Sequence, residues 1–171
     1  MDTRSEREFA WRVHEAQESW IGKVDTKASV VLAFEAAVVV FVITSDAILS
    51  RLQGPSPWTR PLGYVGIAFL LAGIVFVGAA VWPFTGRARR LRTRSTSNLI
   101  YFGHLRHVPA EELVERLGNL TALDELNMLS QQIVAISRIN WWKHRMIQCS
   151  LLSALVGLFA LVALVIVTTS A

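Results

Sequence analysis

The chain has 171 residues, 53% of them hydrophobic and only 18% charged, with a mean hydropathy of +0.42. That balance lies outside ordinary soluble usage and excludes a disordered chain. The net charge of +4 is modest, so no nucleic-acid polymer is expected as a partner, and the single cysteine, Cys149, excludes an intramolecular disulfide.

Residues 1–27 read as an amphipathic helix. Phe9, Val13, Ala16, Trp20 and Val24 recur at spacings of three and four, opposite Arg7, Glu15, Glu18 and Asp25. This stripe is expected to pack on other cytoplasmic helices, with the membrane surface as the competing site. Residues 28–49 form the first predicted span and carry Glu35; residues 50–61 form a loop; residues 62–83 form the second span. A cytoplasmic helical module is expected over 84–147 and a third span over 148–168. The second and third apolar runs meet the ~20 residues needed to cross a bilayer. The first borrows length from the residues toward Leu49. No cleavable signal sequence is expected, because a long polar segment precedes the first run.

Basic residues fix the expected orientation. Five of the 17 Lys and Arg precede the first span, two lie between the first and second, and ten lie between the second and third. The positive-inside rule then puts the N-terminus and the 84–147 module in the cytoplasm and the C-terminus outside. Trp58, Trp82, Trp141 and Trp142 stand at span ends, as interfacial aromatics do.

Within the module, the run from Gly86 to Arg94 carries five arginines at the membrane face. It serves anionic lipid and topology, or it binds a ligand phosphate through bidentate guanidinium contacts. The segment Asn98 to His107 follows. Its Tyr101, Phe102 and His104 either stack on a base or pack on the N-terminal helix. A zinc site is disfavoured, because His104 and His107 lack acidic or thiol partners at ligand spacing. Pro109, Glu111 and Glu112 announce a helix that Gly118 can end, and Thr121 with Asp124 resembles a capping pair.

From Ala122 the chain runs to Val156 without Gly or Pro. Leu126, Leu129, Ile133, Ile136 and Asn140 form a seam with one polar member, of the kind that pairs helices and fixes register. It continues through Lys143 and Ile147 to the small residues Ser150, Ala154 and Gly157, which permit close helix approach in membranes. One rod of roughly 45 residues, ~68 Å long, is predicted. The seam packs on the N-terminal stripe of its own chain or on a second copy.

Glu35 is the acidic residue well inside a span, where an ionisable group faces a bundle interior, a cavity or a partner. Ser150 and Ser153 are available to it, as is protonation. It lines a pore or subunit contact, or it is a hydrogen-bonded structural residue. Asp25 and Lys27 lie two apart and do not pair with each other. Lys27 can snorkel to headgroups. Asp25 is expected to bind Arg138, Lys143 or Arg145 at the same membrane face.

The stretch His14 to Ser29, ending Asp25-Thr-Lys-Ala-Ser29, resembles the Asp-x-Lys-Ala-Ser signature of the Pycsar effector transmembrane family. Leu99-Ile-Tyr-Phe-Gly-His-Leu105 is similar to a later part of that family's pattern, as is the helix from Asp124 to Arg145 with Gln131, Gln132, Ile136, Lys143 and Arg145. The resemblance implies an antiphage effector of the bacterial inner membrane. It would respond to a cyclic pyrimidine mononucleotide from a neighbouring cyclase and impair the membrane, killing the infected cell.

The expected architecture is therefore an all-α membrane protein with three transmembrane helices and a small cytoplasmic helical bundle, forming a homo-oligomer in the lipid bilayer. A small ion channel or transporter unrelated to defence is the alternative function, and a membrane scaffold the next. An enzyme is not expected. No paired carboxylates, activated nucleophile, metal set or phosphate-cradling glycine loop stands in the sequence, and no cofactor is implied beyond the activating nucleotide.

Overall fold

A computed structural model describes residues 3–54, 57–83, 98–106 and 108–170. The basic run Gly86 to Arg94 and His107 lie outside them. Among the described residues the secondary structure is helical: α1 (Thr3–Thr44), α2 (Asp46–Arg51), α3 (Thr59–Val81), α4 (Phe102–Leu105), α5 (Ala110–Gly118) and α6 (Ala122–Thr169). Helices α1, α3 and α6 are long and apolar enough to cross a membrane. The all-α expectation with three spans holds.

Two units divide the chain, one made of Met1–Gly22 and Pro83–Trp141, the other of Lys23–Trp82 and Trp142–Ala171. The second unit is the spanning one. Its outward faces are apolar: Val30, Phe34 and Phe41 on α1, Val65 and Val75 on α3, and Leu152, Leu155 and Phe159 on α6 are all exposed. Its interior is lined by smaller residues. On α3, Thr59, Gly63, Gly66, Leu70, Gly73, Val77 and Ala80 are buried, alternating steps of four and three. That 3.5-residue period is the packing of left-handed helix bundles. Lipid tails are as apolar as leucine, so large side chains gain little by turning inward and small ones let backbones meet. At the α3–α6 contact a Cβ on Gly157 would stand 2.8 Å from the Gly66 carbonyl oxygen, so no larger residue fits there.

Two apolar layers fill this unit. One gathers Val39, Val42, Leu70, Leu161 and Leu164; the other gathers Ala28, Val77 and Ala80, with Met146 and Ile147 packed against it. The continuous helix of the first predicted span breaks before residue 49. Helix α1 stops at Thr44, and Ser45 takes an extended conformation (φ −83°, ψ 106°) that opens the separate helix α2. Arg51 at the end of α2 then donates to the Thr168 hydroxyl at 2.6 Å, tying this turn to the last turn of α6.

In the first unit α1 packs a different stripe from the one expected. Ala10 and His14 are buried and Gln17 is half-buried, whereas Phe9 and Trp20 are more than half exposed. Of the expected stripe, Val24, which belongs to the spanning unit, is buried and Val13 half-buried, while Ala16 faces out. Two polar bonds bind α1 to the start of α6: Arg7 donates to Glu125 at 2.7 Å and Trp11 Nε1 to the same carboxylate at 2.8 Å.

The α6 seam is used within the chain. Leu129 is completely buried, Ile136 and Asn140 nearly so, and Leu126 and Ile133 are half-buried. Packing within the chain accordingly covers Leu129, Ile136 and Asn140, while Leu126 and Ile133 keep part of their surface. Asn140 Nδ2 reaches the Gln17 side-chain oxygen at 3.2 Å, a polar contact that pins the register of α1 against α6.

Candidate functional site

Three polar clusters stand out among the described residues. The first is an ion pair in the spanning unit. Lys143 is buried on α6, and its Nζ donates to Asp25 Oδ1 on α1. The pair is asymmetric, because the Lys143 side chain is 6% exposed while that of Asp25 is 43% exposed. The carboxylate therefore keeps water and the ammonium does not. Of the three cations expected near Asp25, Lys143 is the partner, whereas Arg138, Arg145 and also Lys27 are exposed. Ser29, at the end of the same stretch, returns its hydroxyl to the Asp25 carbonyl at 2.9 Å.

The second cluster surrounds Glu35, between the two apolar layers. Ser150 Oγ donates to Glu35 Oε1 at 2.6 Å, while Oε2 is buried and accepts no hydrogen bond. Gly73 supplies the space, since a Cβ there would lie 2.9 Å from Oε2. Ser153, one turn on, is also buried. Ser150 was foreseen as a partner for Glu35; Gly73 was not. The signal for it is the alternating spacing of Gly63, Gly66, Leu70, Gly73 and Val77, whose phase points Gly73 inward.

The third cluster lies in the first unit. Asn98 is buried: its Nδ2 donates to the Met128 carbonyl at 3.2 Å and its Oδ1 accepts from the Ile100 amide at 2.9 Å. His104 Nδ1 lies 3.3 Å from the Asn98 carbonyl oxygen, and its ring meets Tyr101 edge-on at 5.2 Å between centroids. Gly103 accommodates that tyrosine, because a Cβ would approach its ring to 2.4 Å. The ring of His104 is thus committed to packing and is not open to stack on a base. Phe102 is the first residue of α4. This aromatic segment works as a strap that seats Asn98 against α6.

Beside this strap is a half-open cavity of about 570 Å³, lined by Leu99, Glu112, Arg116, Asn119, Asn127 and Gln131 among others. Tyr101 and His104 are not among its lining residues. Arg116 pairs with Glu112 across one turn of α5. The cavity went unforeseen, since it is assembled from the strap, α5 and the first turns of α6. Its only sequence traces are the Glu112/Arg116 and Asn127/Gln131 pairs at helical spacing. Asp124, also on its wall, accepts from the Thr121 hydroxyl at 2.5 Å and from the Thr121 amide at 3.2 Å, which hold its carboxyl below the usual aspartate value.

These features define an all-helical membrane protein with three spans, an ion pair and a buried carboxyl between α1 and α6, and a polar cavity in its other unit. The chain matches the family model described as the Pycsar effector protein domain, PycTM, over residues 9–170, and it belongs to that family. Membership supports an effector role in antiphage defence. No curated protein and no solved structure matches the chain.

Proposed function

We propose that the chain is an inner-membrane effector that is switched on by a cyclic pyrimidine mononucleotide, impairs the membrane and acts without catalysis. The family match across nearly the whole chain carries this reading. The cyclase that makes the nucleotide is a separate, neighbouring protein, and the effector works as a homo-oligomer with its N-terminus and the 84–147 segment in the cytoplasm.

The cavity supports a nucleotide-sized ligand, since small-molecule sites occupy roughly 300–1,000 Å³. Asn119, Asn127 and Gln131 offer donors and acceptors suited to a pyrimidine edge, and Arg116 offers a guanidinium to the cyclic phosphate once it leaves Glu112. In the spanning unit the Asp25–Lys143 pair is the two-state contact. Its rupture frees α1 from α6, and the ligand drives it only by binding the open state more tightly.

The test is a titration of the purified chain in liposomes with cyclic UMP and cyclic CMP, following binding by calorimetry together with leakage. Saturable binding with leakage is expected. Loss of one charge-assisted bond is worth ~1.5–3 kcal/mol, so Arg116→Ala should weaken binding by roughly 10- to 100-fold. Neither binding nor leakage with either nucleotide would overturn the reading.

A further inference from the structure

Glu35 and its neighbours bear on what crosses the membrane, an inference that rests on the membrane-impairing reading above. The lipid-facing sides of α1, α3 and α6 present Val, Leu and Phe, so a water-filled path through these helices has to be lined by their inner faces. On those faces the two layers gather apolar side chains. Between them lie the carboxyl of Glu35, the hydroxyls of Ser150 and Ser153, and the bare backbone of Gly73. The sequence from 28 to 44, from 61 to 82 and from 146 to 170 contains no other acidic and no basic residue.

Glu35 is also incompletely satisfied. It is 2% exposed, and with Ser150 on Oε1, Oε2 is left buried with no donor among the described residues. A buried acceptor without a donor is destabilising, and water entering between the helices relieves it. The sealed state is therefore destabilised at the level where a polar path would open. An ionisable group at this depth is costly to keep unless it serves transport or contact.

We propose that the conductance of the activated effector is cation-selective and that Glu35 is its selecting group. Acidic side chains lining a constriction select cations in channels, and Glu35 places one such group on the inner face of each protomer's helices. Ser150 and Ser153 complete the polar lining, and Gly73 leaves the carboxyl room to turn.

The experiment uses the full chain in planar bilayers under a tenfold KCl gradient, activated with cyclic UMP or cyclic CMP, with calcein-loaded liposomes in parallel. For the wild type, a reversal potential close to the potassium equilibrium value is expected, with calcein retained. Glu35→Gln keeps the side-chain shape and the acceptor for Ser150. It should still conduct, with its potassium-to-chloride permeability ratio reduced at least tenfold, while Glu35→Asp keeps cation preference. Should Glu35→Gln fail to fold, the wild-type ratio and that of Glu35→Asp decide. A wild-type conductance indifferent to ion charge, calcein release, or unchanged selectivity in Glu35→Gln overturns the proposal and leaves the membrane-impairing function standing. Absence of both current and leakage in the wild type removes the function and the proposal together.

Discussion

At the scale of residues, the Asp25–Lys143 pair shows why two charges in one contact are not equivalent. Lys143 has given up its water and depends on one carboxylate, while Asp25 remains 43% exposed. Removing the acid strands a buried ammonium, whereas removing the ammonium returns the acid to solvent. Breaking a fully buried pair costs about 3–5 kcal/mol. The exposure of Asp25 brings the expected loss for Asp25→Asn down to about 2–3 kcal/mol, or roughly 5–10 °C in melting temperature. Lys143→Met should cost less than half as much, because a methionine packs where the lysine stem does. Melting both variants in detergent checks the order, and equal losses would mean the pair is solvated on both sides. That Asp25 needed a cation from α6 was legible from its place at the start of a span. Which cation it takes was not, because Arg138, Lys143 and Arg145 are separated only by the phase of α6, and burial alone selects Lys143.

Among the elements, the start of α6 was the most readable helix end. The Thr121 and Asp124 side chains cap α6 reciprocally, with the Asp124 amide donating to Thr121 Oγ1 at 3.2 Å and the Asp124 carboxylate accepting from Thr121. Since these bonds lower the Asp124 pKa, the folded state favours the charged form. Their stabilisation is full above the ordinary aspartate range and is lost as pH falls through the depressed folded value. Hydrogen exchange across the first turn of α6 should therefore show earlier opening, beyond the intrinsic pH effect, at pH 3 than at pH 6. Thr121→Ala should abolish the difference. Pro109 sits one position earlier than expected, as the N-cap of α5 with φ −60° and ψ 150°. The phase of α1 was misread for a physical reason. Searching for the largest apolar side chains finds Phe9 and Trp20, but the buried positions are Ala10 and His14, with Gln17 bonded to Asn140 of α6, small or polar residues that a hydropathy stripe does not register. On α6 hydropathy and burial agree, because Leu129 and Ile136 are both apolar and inward.

For the molecule as a whole, the three spans were legible because a bilayer demands a run of apolar residues whatever their order. The cavity was not, because it forms where the strap, α5 and the first turns of α6 fold back on one another, a meeting that no local hydropathy pattern announces. The distribution of charge makes the orientation testable. With ten of the 17 basic residues between the second and third spans, a cysteine introduced at Glu112 in a Cys149→Ser background should react with a membrane-impermeant maleimide only after the cells are opened. Glu112 is half-buried beside Arg116, so Glu111→Cys, at an exposed position, serves as the parallel site. Labelling of intact cells at either position would reverse the topology.

The bond between Ser150 and Glu35 joins residues 115 positions apart, and this has a consequence for how the protein is made. At a synthesis rate of ~5–20 residues per second, about 6–23 s separate the appearance of the carboxyl from that of its hydroxyl. Throughout that interval the first helix holds its acid without the Ser150 hydroxyl, and an ionisable group at that depth is costly without a partner. Chains truncated before Ser150 should accordingly be cleared faster than full-length ones, and replacing Glu35 with leucine should lengthen their lifetime.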